Sequence, residues 1–379
     1  MFRKNLDPKV TAVVTLLVLG VIQYAYWRGL VYREPSGAAM AGGPGAGPVP
    51  IPTVGGHVDV DVTTLAGGEP GYVDGPGWAA RFCGPNALAI AGDGTLLVSD
   101  SRNHRIRSVS PLGKVTTVAG GGEPGGQGGR SVGAAAEAQF RFPSGVAAAP
   151  DGTIYIADTG NHRICVLHDG VVSELAGGTE GKADGSGGAA RFRLPSALLF
   201  QDDALWVADL GNRAIRRVTP AGQVSTPQPA PPHVAAAFGE LLAARASSRE
   251  VFAAPEGEGD FETSQFRTGR LSPIVPAGPV DLMTDTEFHT VLAKGGDGHY
   301  RLLAGRYQEA AKVPGSRDGT GTRATFAVPC AVTATTDGTV YVADYEGHRI
   351  RKLTLPDWLT GGGTPAERPR GAGRIWRGR

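Results

Sequence analysis

Apolar residues along most of the chain come in short runs broken by Gly, Asp and Asn, and one pattern of this kind recurs. LVSDSRNHRIRSV (97–109), YIADTGNHRICVL (155–167), WVADLGNRAIRRV (206–218) and VYVADYEGHRIRK (340–352) are near-copies of one string. Each is an apolar run ending in Asp, a short polar turn and a second run led by Arg. Around each copy the same parts follow in order. An A-x-F-x-x-P segment comes first: ARFCGP (80–85), AQFRFP (138–143), ARFRLP (190–195) and ATFAVP (324–329). A run of small residues leads to a turn at Asp93-Gly94, Asp151-Gly152, Asp202-Asp203 or Asp337-Gly338. After the string, a last run such as KVTTVAG (114–120), VVSELAG (171–177) or QVSTP (223–227) closes the first three units. The pattern predicts four short strands per unit joined by tight turns of hairpin type. A four-stranded unit repeating at this length reads as one blade of a β-propeller. No helical period is recognised after residue 30, which sets helical repeats aside.

Spacing gives an expected blade count. The aspartates Asp100, Asp158, Asp209 and Asp344 are separated by 58, 51 and 135 residues. The last gap fits three steps of about 45, within the range of known blade repeats. Two degraded blades are therefore expected between 209 and 344, for six in all. VFAAPEGEGD (251–260), with Pro255 in place of Asp, and VLAKGGDGHY (291–300), with Lys294 there, are the candidate strings, and RLLAG (301–305) is a candidate last strand. The sixth copy lacks a last strand, whereas a spare one, VDVTTLAG (60–67), precedes the first copy. The N-terminal strand is expected to complete the final blade and leave no open edge.

Composition supports short elements and tight turns: of 379 residues, 58 are Gly and 28 Pro, yet 41% are hydrophobic. A net charge of +1 gives no bulk attraction to nucleic acid, and 7% aromatics offer no stacking platform. Three cysteines (Cys83, Cys165, Cys330) exclude a disulfide scaffold and a four-cysteine metal site. The ends differ from the middle. After a basic segment (1–9), Val10 to Trp27 carries no formal charge. As a helix it would be about 27 Å long, close to the hydrocarbon thickness. Residues 10–30 are therefore expected to be an uncleaved membrane anchor, with Tyr24, Tyr26 and Trp27 at one interface. Arg3, Lys4 and Lys9 outnumber Arg28 and Arg33, which puts the N-terminus in the cytoplasm and the rest in the periplasm or outside the cell. Residues 31–56 form a Gly/Ala/Pro linker, 57–358 the propeller, and 359–379 an Arg-rich solvated tail.

The strings VSDSRNHRI, IADTGNHRI and VADYEGHRI, with the D-G-x-G and A-x-F-x-x-P segments before them and V-x-T-x-A-G after, closely resemble NHL repeats of bacterial and plant type. The resemblance covers about residues 57–358. It implies a propeller that serves as a binding platform or sensor domain and, in related lineages, as an enzyme.

The repeated polar residues are read as architecture. His104, His162 and His348 hold one place in successive blades, with Arg213 in the third copy, so they do not converge on a metal. Asn103, Asn161 and Asn212 precede that place. Asp100 with Arg105, Asp158 with Arg163 and Asp344 with Arg349 are expected to brace turns, as is Asp209. Asp74, Asp184 and Asp318 lie in D-G-x-G stretches and are weak calcium candidates, each offering a single carboxylate where a full site needs six to eight oxygens. Cys83 and Cys330 fall in adjoining blades but at offset places in the motif. No catalytic residue, metal or cofactor is expected. The innermost strands (NALAIA, SGVAAA, SALLFQ, CAVTAT) offer almost none of the unique acidic, Asn or His residues that a lactonase-like or amidating-lyase-like propeller would need around a channel metal. The expected function is a monomeric, membrane-anchored, non-catalytic module for a protein or envelope component. The contact surface is expected at the long loops 67–82, 120–140, 177–192 and 305–326, with the degraded blades as a second choice.

Overall fold

A computed structural model of the chain describes residues 54–122, 128–246, 275–277, 280–286, 288–295, 300–305, 315–356 and 359. The expected anchor and the Arg-rich tail beyond residue 359 lie outside these residues, and no described helix is long and apolar enough to cross a membrane. The described strands form five antiparallel sheets of propeller type, here blades 1 to 5. Blade 1 runs from its inner strand Pro85–Ile90 through Leu96–Asp100 and Arg105–Val109 to its outer strand Val115–Ala119. Blades 2 and 3 repeat the order from Pro143–Ala148 to Val171–Gly177 and from Pro195–Gln201 to Gln223–Ser225. Blade 4 comprises Val275–Ala277, Val280–Asp285, Thr290–Gly295 and Tyr300–Ala304, and Val54–His57 adds to it in parallel.

Blade 5 contains the closure. Its inner three strands are Pro329–Ala334, Thr339–Asp344 and Arg349–Thr354. Its fourth is Asp61–Gly67, paired antiparallel with Val62 opposite Leu353 and Gly67 opposite Arg349. The expected clasp is present: a strand from the start of the propeller completes the blade made by its end.

The core lies between blades. The A-x-F-x-x-P phenylalanines Phe82, Phe140, Phe192 and Phe326 are fully buried. Each wedges its blade against the preceding one. Phe82, for example, packs with Val98 and Val109 of blade 1 and Tyr341 and Ile350 of blade 5. Phe192 packs with Leu205 and Val207 of blade 3 and Tyr155 and Ile164 of blade 2. Truncating such a buried ring costs about 3–5 kcal/mol, so these wedges are the main apolar cement of the ring.

Two expectations are corrected here. Among the described residues the blades number five, not the expected six. Where a fourth blade was expected to begin, Pro232–Ala246 forms a helix, α1. Its Val234, Phe238 and Leu241 are buried against Trp206, Ala208 and Leu210, the face of blade 3 that other blades offer to their successor. Those three side chains sit at i, i+4 and i+7 on an alanine-rich segment, which is a helical stripe. The candidate string 251–260 lies outside the described residues. The second correction concerns the other degraded copy. VLAKG is the third strand of blade 4, not the second; the second is Val280–Asp285, ending in Asp285. The true motif is Asp285 with His289, spaced as Asp344 and His348 are, and RLLAG is the last strand as expected.

Candidate functional site

The repeated polar residues form two kinds of latch. Within a blade, the Asp that ends the second strand is fully buried and collects donors from three directions. Asp100 accepts from the Cys83 amide (2.7 Å), Asn103 Nδ2 (2.7 Å) and Arg107 Nη1 (2.8 Å). Asp209 does the same with the Arg193 amide, Asn212 and Arg216 at 2.7, 2.7 and 2.8 Å. In blade 5, Gly347 stands where blades 1 to 3 have Asn, and Ser316 Oγ donates to Asp344 at 3.1 Å beside the Ala327 amide at 2.6 Å. Burial pushes the Asp100 and Asp344 carboxyls up to about 6 against the pull of Arg107 and Arg351, so both are carboxylates at neutral pH.

The arginine partner differs from the expected one. Asp100, Asp209 and Asp344 bind the arginine seven residues on (Arg107, Arg216, Arg351), the second of an R-x-R pair in blades 1 and 5 and preceded by Ala214 at the first place in blade 3; all three are fully buried. Arg105 and Arg349 turn to the carbonyls of Asn103 and Ser316 instead. In β-structure, residues two apart share a face, and only the second arginine continues from the aspartate toward the outer loop.

That loop holds the three supposed calcium aspartates. Asp74 accepts from Arg107 Nε (3.1 Å) and Nη2, and from the Thr117 amide and hydroxyl (2.9 and 3.2 Å). Asp184 accepts from Arg216 and from Thr226, and Asp318 from Arg351 and from Thr64 of the clasp strand, at 2.7–3.0 Å. Their lone pairs are taken by one guanidinium and one threonine each. Blades 1, 3 and 5 thus contain the same chain of contacts: Asp, buried Arg, loop Asp, and a Thr in the outer strand or, in blade 3, just after it.

Blade 2 changes all of it together. Cys165 replaces the arginine, Val132 the loop aspartate and Glu174 the threonine. There Arg163, as expected, binds Asp158 (2.7 Å), and its other end reaches Glu174 (3.1 Å). Asn161 keeps its place on Asp158.

The second latch joins blades. His104 Nδ1 accepts the Phe142 amide (3.0 Å), His162 the Leu194 amide (3.2 Å), His289 the Val328 amide (3.1 Å) and His348 the Gly84 amide (3.2 Å). Donor and acceptor residues alike have left-handed backbones: φ is 58°, 55°, 54° and 52° at the histidines and 47°, 52°, 73° and 64° at the donors. Such φ costs a side-chain-bearing residue about 1–2 kcal/mol, and the latch holds it in place. Burial holds His162 below its usual range and His348 down at about 4, so both are neutral acceptors. Arg213 replaces histidine only in blade 3, which has α1 rather than another A-x-F-x-x-P segment against its following face.

Among the described residues no three His, Cys, Asp or Glu side chains converge to hold a metal ion. All three cysteines are free thiols. Hollows lined by described residues include two on the surface. One, of about 450 Å³, lies where the inner strands of blades 1 to 3 end, with Ile90, Ala148 and Phe200 in its lining and Asp202 and Asp203 from the blade 3 turn. The other, of about 660 Å³, lies at the outer rim between blades 5 and 1 and is lined by Thr64, Leu65, Pro76, Trp78, Leu112 and Lys114.

The profile of the NHL repeat matches residues 82–107 and 140–167, the inner three strands of blades 1 and 2 with their His latches. The chain carries NHL repeats. The chain is 35% identical over 123 residues to Protein SUPPRESSOR OF QUENCHING 1, chloroplastic, of Arabidopsis thaliana, a stretch that is 29% of this chain and 11% of that protein. It is 38% identical over 122 residues to NHL repeat-containing protein 2 of Bos taurus, covering 29% of this chain and 16% of the other. The similarity therefore spans a small part of each relative. Among solved structures, a protein of unknown function from Bacteroides thetaiotaomicron (18% identity, TM-score 0.43, 78% of this chain and 76% of that one) and a streptogramin B lyase (14%, 0.38, 79% and 98%) are similar. At these identities and scores the likeness carries no functional argument.

The described parts of the propeller's long loops are not free arms. Gly133–Ala134, Gly185–Ser186 and Gly319–Thr320 each pair with the outer strand of their own blade, and Gly75 bridges Val115 in blade 1. What the loops leave exposed is local, above all Trp78, which sequence reasoning passed over. Its signal was available: the same place holds Ala136, Gly188 and Thr322 in other copies.

Proposed function

We propose that this NHL propeller is a non-catalytic binding module, held at a membrane by the apolar segment 10–30 and presenting its rim to a protein or cell-envelope partner beyond the cytoplasmic face. The observation that carries this reading is the fate of the repeated polar side chains. The repeat aspartates and the three D-G-x-G carboxylates accept bonds within the chain, and four of the five His/Arg places hold a histidine latching one blade to the next. These groups are committed to rigidity, which is what a scaffold for variable surfaces requires. A net charge of +1 supports no general attraction to nucleic acid.

The test is crosslinking in intact cells followed by recovery of the full chain from membranes. A discrete partner that depends on the propeller is the expected result. Stoichiometric calcium or zinc in the purified full chain, together with turnover of a lactone or related substrate, would overturn the reading in favour of an enzyme.

A further inference from the structure

The described surface buries most large apolar side chains, but two stand out in blade 1. Trp78 is 89% exposed and Leu112 97% exposed. They belong to two separate turns that are packed into one platform. A Cβ on Gly77 would fall 2.2 Å from the Leu65 carbonyl oxygen and 2.9 Å from that of Gly113, so the Trp78 turn sits directly on the clasp strand and on the Leu112 turn. The Leu112 turn is itself closed by the Gly113 amide on the Ser110 carbonyl (2.8 Å). Both residues depart from the repeat. Where blade 1 has Leu112, the corresponding turns have Asp169 and Ala221; where it has Trp78, they have Ala, Gly and Thr. The hollow beside them has one cation in its lining, Lys114, and no carboxylate.

We infer that the Trp78–Leu112 platform docks the NHL propeller onto the headgroup layer of the bilayer. Both side chains stand almost wholly exposed on the tips of turns at the mouth of that hollow, with a lysine beside them. That is the arrangement that inserts at a membrane interface, where tryptophan is favoured and a cation meets anionic lipid. The chain outside the described residues bears on the occupant. Only 26 residues separate Trp27, the end of the apolar run, from Val54. A Gly-rich coil of that length has a mean reach of about 28 Å. A propeller so tethered meets the bilayer at high effective concentration, and a small apolar platform then suffices. The inference rests on the proposed membrane anchor.

The full chain, reconstituted in phosphatidylcholine/phosphatidylglycerol nanodiscs with or without brominated acyl chains, tests it. The difference in emission between the wild type and Trp78→Phe isolates Trp78 from the other four tryptophans. Docking predicts that this difference signal is lost with brominated lipid, and that Leu112→Asp restores it. Far-UV circular dichroism checks that both variants fold. Co-elution with nanodiscs after an alkaline wash reports the anchor separately; its failure would overturn the anchor and the docking with it. Co-elution with an unquenched Trp78 signal would overturn docking and leave the anchor standing. A Trp78-dependent crosslink to a protein in cells, with no quenching, would likewise overturn docking and assign the platform to that protein.

Discussion

Arg107→Met tests the latch within a blade. The Arg107 side chain is fully buried and donates to Asp100, to Asp74 twice, and to the carbonyls of Arg81 and Val73. Methionine fills much of the volume but supplies no donor. Asp74 is 41% exposed, so water can replace what it loses, and its share is small. Asp100 is the decisive partner, because it stays sealed in the blade with its main cation gone. Removing one member of a buried ion pair costs about 3–5 kcal/mol, a large part of the roughly 5–15 kcal/mol that separates folded from unfolded domains. Urea unfolding followed by circular dichroism reads the loss as a lower midpoint at constant slope. Asp100→Asn in the same chain removes the stranded charge while keeping an acceptor for the Cys83 amide, so the double variant should regain part of the loss. A loss below about 1 kcal/mol for Arg107→Met, the size of a surface pair, would refute the reasoning.

Further outcomes follow from the same contacts. Cys165→Arg alone should destabilise blade 2 by about 1–3 kcal/mol, since the guanidinium would enter a filled site that has Val132 where the acceptor stands elsewhere; adding Val132→Asp and Glu174→Thr should recover it in thermal unfolding. Gly145→Ala should cost at least as much, because its Cβ would lie 2.0 Å from the Ser196 carbonyl oxygen on the neighbouring inner strand; an unchanged melting temperature would contradict that approach. His348 is held neutral at about 4 against an ordinary 6.5, so it favours unfolding when it protonates; its contribution is whole above pH 6.5 and falls away as pH drops toward 4. Asp100 and Asp344, raised to about 6 by burial, act with the opposite sign between about pH 4 and 6, so His348 is read by difference. The stability gap between wild type and His348→Gln should widen with rising pH between about 4 and 6.5, and a gap independent of pH would count against the neutral latch.

Much of this was legible in the chain because repetition exposes roles. The four strong copies predicted strand order, the turn at each Asp and the clasp, since a missing last strand and a spare first one must meet. Five things were hidden. Asp285 and His289 went unseen because blade 4 keeps those two motif positions but has Phe288 where other copies have Gly or Asn and Thr290 where they have Arg or, in blade 3, Ala214. An equal division of the gap then fixed on VLAK, although the true steps are 76 and 59 residues. Helix α1 was hidden by its length: three apolar positions on one segment do not announce themselves beside dozens of strand residues, and what fixes them is the open face of blade 3. The Asp–Arg pairing followed adjacency in the motif, whereas strand geometry places the working arginine two residues further on. The loop aspartates looked like cation ligands because their arginines are distant in sequence, Arg351 lying 33 residues from Asp318. The change of His to Arg213 was visible as a departure from the pattern, but its meaning depends on a neighbour that sequence does not display.

Asp61–Gly67 closes the ring of blades as the fourth strand of blade 5. Hydrogen–deuterium exchange of that segment in the intact chain tests it most directly. If the strand is part of blade 5, its interior amides will exchange only with global unfolding, at rates matching Arg349–Thr354 and slowing or speeding with it in denaturant. Exchange as fast as in an unpaired tail, while Arg349–Thr354 stays protected, would contradict the closure.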